Sequence, residues 1–163
     1  MSELITAASL SGKAAPDFRL ADASGASRGL SDFAGTWLVL YFYPKASTPG
    51  CTREARDFTC MLPDFAAAGA AVVGVSPDSP KAIGNFTLKQ DLDVALLSDP
   101  DRAVAKAYGA FGTKMMYGKA VTGIVRSTFL IGPDGTVRAV WSPVKVDGHA
   151  QAVRDELRRL AGK

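Results

Sequence analysis

Cysteine and histidine are scarce in this chain of 163 residues, which contains two cysteines, Cys51 and Cys60, and a single histidine. The cysteines do not form a Cys-x-x-Cys pair, so the common redox dithiol motif is missing. Three soft ligands are also too few for a structural zinc site, which needs four. We therefore expect no bound metal.

Long apolar runs and strong charge are absent as well. No run approaches the roughly 18 residues of a membrane span, and no basic segment followed by an apolar core marks a signal peptide. The net charge of +3 is small and dispersed, which argues against nucleic acid and membranes as partners. We expect a cytoplasmic protein, since an accessible thiol stays reduced in that compartment.

The length predicts one domain over residues 1–163, in which residues 1–11 show no pattern and are expected to form a loose arm. Apolar runs at 37–42, 71–76 and 95–98 read as buried strands, and 127–131 with 136–141 as a hairpin. Helical patterns at 51–62, 80–90, 102–108 and 149–160 alternate with them. This alternation predicts an α/β layered domain with a mixed sheet. Pro63 must either kink the first helix or start a new one.

Cys51 lies where a loop after the first buried strand turns into the first helix. Free backbone N–H groups and the positive end of the helix dipole meet at such a position and favour an anion. A thiolate is therefore favoured over a thiol, and Cys51 is the candidate reactive residue. The alternative is a small buried hydrophobic residue, which the flanking Pro49 and Gly50 argue against.

Four residues are candidates to assist this sulfur. Thr48 has a hydroxyl three residues earlier, Pro44 stiffens the loop, and Arg126 offers fixed donors to a thiolate or to a displaced oxygen. Glu54 is expected to hold Arg126 by a bidentate pair. The alternatives are that Thr48 only caps the helix, Arg126 is a surface charge and Glu54 favours the helix dipole.

The spacing of Pro44, Thr48 and Cys51 matches the Pro-x-x-x-Thr-x-x-Cys signature of the peroxiredoxins. A wider set of segments resembles the peroxiredoxin Q subfamily, also called bacterioferritin comigratory protein. These segments are 41–45, 48–52, 54–55, 75–79, 97–100, 126–131 and 148–150. The resemblance runs from about residue 13 to residue 160, nearly the whole chain.

The resemblance implies a thioredoxin-like three-layer fold and thiol-dependent reduction of hydrogen peroxide and organic hydroperoxides, without a cofactor. Cys51 resembles the peroxidatic cysteine, Thr48 and Arg126 the residues that orient the peroxide, and Pro44 the residue that shields the sulfenic acid. Thioredoxin, glutaredoxin or a low-molecular-weight thiol is the implied reductant. The subfamily also implies a monomer.

The chain departs from the subfamily at the resolving cysteine. The two usual places are occupied by Arg56 and Thr87. Cys60 is nine residues after Cys51, which on an intact helix means the opposite face and about 13.5 Å along the axis. A disulfide needs Cα atoms under about 7 Å apart. Cys60 is therefore an inert core residue, a resolving thiol after unwinding, or an intermolecular partner.

We favour a peroxidase with one catalytic cysteine. A thioredoxin-like disulfide reductase is disfavoured by the missing Cys-x-x-Cys. A redox sensor, which uses sulfur oxidation to change partner binding, would look identical at the site.

Overall fold

The computed structural model describes residues 6–116 and 118–162. Its strands are β1 (Arg19–Asp22), β2 (Ser27–Gly29), β3 (Trp37–Phe42), β4 (Ala70–Ser76), β5 (Ala95–Ser98), β6 (Phe111–Met116), β7 (Lys119–Ile124), β8 (Ser127–Ile131) and β9 (Val137–Trp141). Its α-helices are α1 (Pro49–Ala67), α2 (Pro80–Gln90), α3 (Ala103–Ala107) and α4 (His149–Ala161). Two short 3₁₀ turns, Ala8–Leu10 and Leu30–Phe33, complete the elements.

Seven strands form one mixed sheet in the order β2-β1-β5-β4-β3-β8-β9, and β6 pairs with β7 apart from it. The central strands β3, β4 and β5 are parallel to one another, whereas β1 and β8 are antiparallel to their neighbours β5 and β3. Residues of α1, α2 and α4 pack on one face of the sheet and residues of α3 on the other. The mixed three-layer arrangement predicted from the sequence is confirmed.

The alternating faces of β3 explain why this strand is apolar throughout. Val39 and Tyr41 face the cluster that contains α1 and α4, while Leu38, Leu40 and Phe42 face the opposite cluster. Because both faces are covered, no polar alternation is left in the sequence.

Strand direction brings distant segments together at one edge of the sheet. The parallel strands β3 and β4 end there at Phe42 and Ser76, and antiparallel β8 begins there, with Ser127 opposite Phe42. The loop after β3 therefore lies beside Arg126, the residue before β8, although more than 75 residues separate them in sequence.

Helix α1 is longer than the sequence pattern predicted. It begins at Pro49, in the first helical position where a missing N–H costs nothing, and continues past Pro63 to Ala67. Packing of Phe58 and Phe65 against the sheet holds it together, since both side chains are fully buried. Pro63 therefore starts no new helix.

Residues 6–11 differ from the loose arm that the sequence suggested. Ala7 and Leu10 are buried in the cluster around β3 and β8. The Gly12 N–H donates to the Val137 carbonyl, and the Val137 N–H donates to the Lys13 carbonyl. Residues 1–5, the rest of the predicted arm, lie outside the described residues. The β6–β7 pair was also not predicted.

Gly74 in β4 leaves the space that the Tyr41 side chain occupies. A Cβ at this position would lie 2.5 Å from Tyr41 Cζ and 2.8 Å from Leu96 Cδ2. We expect Gly74→Ala to lower the free energy of unfolding by about 1–3 kcal/mol, as overpacking does. Urea unfolding measures this effect.

Gly84→Ala is the matched control, because Gly84 lies inside α2 and its nearest contact would be Ala23 Cβ at 3.6 Å. We expect this change to stabilise the protein by about 0.5–1 kcal/mol through helix propensity. Equal stability changes in the two variants would show that the slot under Tyr41 is not tightly packed.

Candidate active site

Cys51 is the third residue of α1 and is 1% exposed. Thr48 occupies the N-cap position with extended backbone angles, and Pro49 has no N–H. The backbone donors of Gly50 and Cys51 lie in the first turn, where no earlier carbonyl of the helix is available to accept from them. The sulfur therefore lies at the positive end of a 19-residue helix.

The Arg126 guanidinium bridges the sulfur and a buried carboxylate. Its Nη2 donates to Cys51 Sγ at 3.2 Å, and its Nη1 donates to Glu54 Oε1 at 2.7 Å. Glu54 is 2% exposed, so this ion pair is not a surface contact. The prediction that these three residues meet is confirmed, and a surface role for Arg126 is wrong.

The geometry of the Arg126–Glu54 pair differs from the bidentate pair that the sequence suggested. One arm of the guanidinium is used on the sulfur, so only Oε1 of Glu54 is bound, and Oε2 has no hydrogen-bond partner within the described part of the chain. Burial raises the pKa of Glu54 to about 7, although Arg126 acts in the opposite direction. For Arg126, burial opposes the charged form, but Glu54 and Cys51 outweigh it and the pKa is raised.

Thr48 does not use its side chain to cap the helix. Its hydroxyl donates to the Lys45 carbonyl at 2.8 Å, and no side-chain capping bond forms. Because the hydroxyl proton is already used, the oxygen presents its lone pairs and acts as an acceptor toward a further group. The half-buried side chain lies one turn before Cys51.

Pro44 and Gly50 are the other two candidate residues that precede Cys51. Pro44 is half-buried in the loop after β3. A Cβ on Gly50 would lie 3.3 Å from Arg126 Nη2, closer than most such contacts. The absence of a side chain at Gly50 therefore allows the guanidinium to reach Cys51.

Two tyrosines are buried close to the site. Tyr41 and Tyr43 are at most 1% exposed, with ring centroids 5.7 Å apart. Neither hydroxyl has a hydrogen-bond partner among the described residues, and burial raises the pKa of both. Full burial supports packing.

His149, the first residue of α4, is buried away from bulk solvent. Its Nε2 is 2.8 Å from the Thr128 hydroxyl, and its ring packs edge-on against Phe58 and Trp141. Burial, with a smaller contribution from the positive charge of Arg126, lowers the pKa of His149 to about 4. These contacts agree with a structural role for His149 and not with that of a catalytic base.

Cys60 is an exposed free thiol, so its interpretation as an inert core residue is wrong. Helix α1 is continuous from Cys51 to Cys60, which keeps the two sulfurs on opposite faces and far beyond disulfide distance. Both cysteines are free in this structure. The interpretations of Cys60 as a resolving thiol after unwinding and as an intermolecular partner stay predictions.

Asp78 was not singled out from the sequence as a site residue, although its segment belongs to the resemblance. Its Oδ2 accepts from the Ala46 N–H at 2.7 Å, in the loop between β3 and α1. A carboxylate two residues after a strand that ends at the same edge was the available signal.

The described residues contain neither a cluster of metal ligands nor a membrane-spanning helix. In ranges 6–116 and 118–162, no three His, Cys, Asp or Glu side chains cluster as metal ligands would. Within the same ranges, no helix has the length and hydropathy needed to cross a bilayer.

A model of the AhpC/TSA family matches residues 11–140. The chain belongs to this family, as a peroxiredoxin of the Bcp, or peroxiredoxin Q, subfamily. Peroxiredoxin Bcp of Xanthomonas campestris is 50% identical over 145 residues, which are 89% of this chain and 91% of the relative. A peroxiredoxin of Bacillus subtilis, also called Bcp, is 41% identical over 152 residues, which are 93% of this chain and 97% of the relative.

Solved structures agree with this assignment. The bacterioferritin comigratory protein of Xanthomonas campestris, studied for alkyl peroxide reduction, superposes with a TM-score of 0.84 at 49% identity, covering 88% of this chain and 92% of that one. A 2-Cys peroxiredoxin of Plasmodium vivax, 22% identical, has a TM-score of 0.72 over 94% of this chain and 99% of its own, which shows the thioredoxin-like fold. This peroxiredoxin is thus a thiol-dependent peroxidase, which reduces peroxides through a cysteine sulfenic acid with a thiol as reductant.

The raised pKa of Glu54 predicts how stability depends on pH. Between its ordinary value of 4.5 and about 7, the folded protein keeps a proton that the unfolded chain has released, so the free energy of unfolding falls as pH rises. Glu54→Gln removes this slope. We expect its stability relative to the parent to increase over that pH range by on the order of 3 kcal/mol and then level off.

Urea unfolding from pH 4 to pH 8 measures the difference between the two proteins. His149→Gln is the control with the opposite sign. Because the pKa of His149 is lowered, the free energy of unfolding of the parent rises from about pH 4 to 6.5. The stability of His149→Gln relative to the parent therefore falls over that range. A difference between Glu54→Gln and the parent that stays constant with pH would contradict the assigned protonation of Glu54.

Proposed function

We propose that Cys51 is the sulfur that reduces the peroxide and that this peroxiredoxin works with one catalytic cysteine. The observation that carries the proposal is the 3.2 Å contact between Arg126 Nη2 and Cys51 Sγ at the start of α1. A guanidinium and a helix N-terminus at one sulfur favour its anionic form, which is the nucleophile.

The first half-reaction transfers two electrons from sulfur to the peroxide. The Cys51 thiolate attacks one peroxide oxygen, an S–O bond forms and the O–O bond breaks. The sulfur becomes a sulfenic acid and the other oxygen leaves as hydroxide or alkoxide, which takes up a proton to give water or alcohol.

Four residues around the sulfur serve this step in our proposal. The Thr48 oxygen accepts the hydrogen bond of the peroxide O–H, since its own proton is donated to the Lys45 carbonyl. Arg126 stabilises negative charge, first on the sulfur and then on the departing oxygen. Glu54 holds the guanidinium in place, and Pro44 shields the product from further oxidation.

The second half-reaction requires a thiol from outside the protein. Arg56 and Thr87 occupy the usual places of a resolving cysteine, and Cys60 is exposed on the other side of an unbroken helix. An external thiol condenses with the sulfenic acid, releasing water and leaving a mixed disulfide. A second thiol then frees Cys51 as the thiol and leaves as the disulfide of the reductant.

Thioredoxin, glutaredoxin and a low-molecular-weight thiol are the candidate reductants. We further propose a single-domain monomer in a reducing compartment such as the cytoplasm. The resemblance to the subfamily supports the monomer, and the need for reduced thiols supports the compartment.

Replacing each cysteine separates the roles of the two sulfurs. We expect Cys51→Ser to abolish peroxide consumption and Cys60→Ser to leave it within about twofold of the parent, because only Cys51 contacts Arg126. Consumption is measured with excess hydrogen peroxide and dithiothreitol. Many turnovers per protein are expected, whereas a sensor would stop after about one.

Mass spectrometry of the parent after one equivalent of peroxide, without reductant, completes this experiment. One added oxygen on Cys51 is the expected product. Full conversion to a monomer two mass units lighter, lost in Cys60→Ser, would show that Cys60 resolves. Covalent dimers that require Cys60 would instead show an intermolecular resolving thiol.

Arg126→Ala should lower kcat/KM for peroxide by about 10²–10³-fold, the usual cost of losing one preorganised donor to a developing anion. Arg126→Lys is the informative partner, because one ammonium keeps the charge but lacks the fork that binds Cys51 and Glu54 at once. We expect an intermediate rate for it. Stopped-flow rates at several peroxide concentrations measure both, and a parent-like Arg126→Ala would remove Arg126 from the site.

A further inference from the structure

One peptide group in the loop before α1 is held at both of its ends. Its carbonyl, on Lys45, accepts the Thr48 hydroxyl at 2.8 Å, and its N–H, on Ala46, donates to Asp78 Oδ2 at 2.7 Å. The peptide group is planar and stiff, so its C=O and N–H turn together. The Asp78 carboxylate, bound to the N–H, therefore fixes the direction of the Lys45 carbonyl that accepts from Thr48.

The Asp78 carboxylate is itself anchored to the sheet. Oδ2 also accepts from Ser76 Oγ at 2.8 Å, and the Asp78 carbonyl accepts from Ser98 Oγ at 2.6 Å. Ser76 and Ser98 are the last residues of β4 and β5 and are at most 3% exposed. These hydrogen bonds thus anchor the loop to the edge of the sheet where the central strands end.

The loop requires contacts from another part of the chain to keep its conformation. Ser47 follows the peptide group between Lys45 and Ala46 and has a φ of 66°. This left-handed conformation costs energy for a residue with a side chain. Such a conformation persists only where the surroundings determine it. Asp78 contacts this loop from 32 positions away in sequence.

We propose that Asp78 is a positioning residue for peroxide reduction. Through the 45–46 peptide it keeps the Lys45 carbonyl in place to accept the Thr48 proton. The Thr48 lone pairs are then directed to the peroxide. This inference rests on the acceptor role proposed above for Thr48. Asp78 does not touch the substrate, so it acts on the peroxide only through Thr48.

The test compares two neutral replacements that have the same net charge. Asp78→Asn keeps an amide oxygen that accepts from Ala46, whereas Asp78→Ala removes the acceptor. We expect the second-order rate with hydrogen peroxide to fall about tenfold in Asp78→Ala, as when one substrate hydrogen bond is lost, and about twofold in Asp78→Asn. Alkylation of Cys51 by iodoacetamide, which has no O–H to bind, should be equal in the two variants.

Asp99→Ala is the structural control. The Asp99 carboxylate accepts from the Val104 and Ala105 N–H groups near the same sheet edge and is 1% exposed, but it does not contact the loop. We expect a lower Tm with the parent's peroxide rate. If Asp99→Ala slows peroxide reduction as much as Asp78→Ala does, loss of stability explains both and the proposal is overturned.

A double-mutant cycle with Thr48→Val decides whether Asp78 acts through Thr48. We expect Asp78→Ala to have no further effect on the peroxide rate once the Thr48 hydroxyl is gone. An equal loss in both backgrounds would overturn the proposal. If Thr48→Val reduces peroxide slowly but Asp78→Ala reacts at the parent's rate, the positioning role of Asp78 is overturned and the acceptor role of Thr48 stands. If Thr48→Val reacts at the parent's rate, both roles are overturned.

Asp78→Glu replaces Asp78→Ala if the alanine variant does not fold. The glutamate keeps the charge and moves the acceptor by one methylene, so the same tenfold loss, absent in the Thr48→Val background, is expected. A parent-like rate in Asp78→Glu would overturn the proposal.

Discussion

One guanidinium shared between a buried sulfur and a buried carboxyl group is the interaction on which the site depends. Arg126 donates to the Cys51 sulfur and to the Glu54 carboxylate, and both partners are at most 2% exposed. Burying charges costs several kcal/mol for each ion before pairing offsets it. Since one positive charge faces two potential negative charges, Glu54 and Cys51 compete for it. Burial raises the pKa of Glu54 even though Arg126 lowers it, so pairing with Arg126 offsets only part of the cost of burying that carboxylate.

The sheet carries this cluster because strand direction puts its parts at one edge. The register that pairs Phe42 with Ser127 fixes Arg126 beside the loop after β3, and Gly50 leaves the space through which the guanidinium reaches the sulfur. Helix α1 then supplies Cys51 and Glu54 three residues apart, on one face. The contact of Arg126 with Cys51 and Glu54 therefore depends on the register of β3 and β8, and not on the distance between these residues in the sequence.

The sequence predicted the features that depend on local pattern. The central strands, the position of Cys51 in the first turn of a helix and its meeting with Arg126 follow from apolar runs, turn residues and the family motif. The β6–β7 pair, the packing of Ala7 and Leu10, and the exposure of Cys60 depend on tertiary contacts that a local pattern does not contain. The bidentate pair was wrong because the second donor of Arg126 binds sulfur, and the role of Asp78 depends on a peptide N–H, which no side-chain motif records.

Two residues of the same type on one helix show that position decides the chemistry of a thiol. Cys51 lies in the first turn, buried, with a guanidinium at its sulfur. Cys60 lies two and a half turns further on, exposed to solvent. The helix whose first turn holds the first sulfur also keeps the second one out of its reach. In the proposed reaction, an intact α1 therefore serves the attack on the peroxide and also means that the thiol which restores Cys51 comes from another molecule.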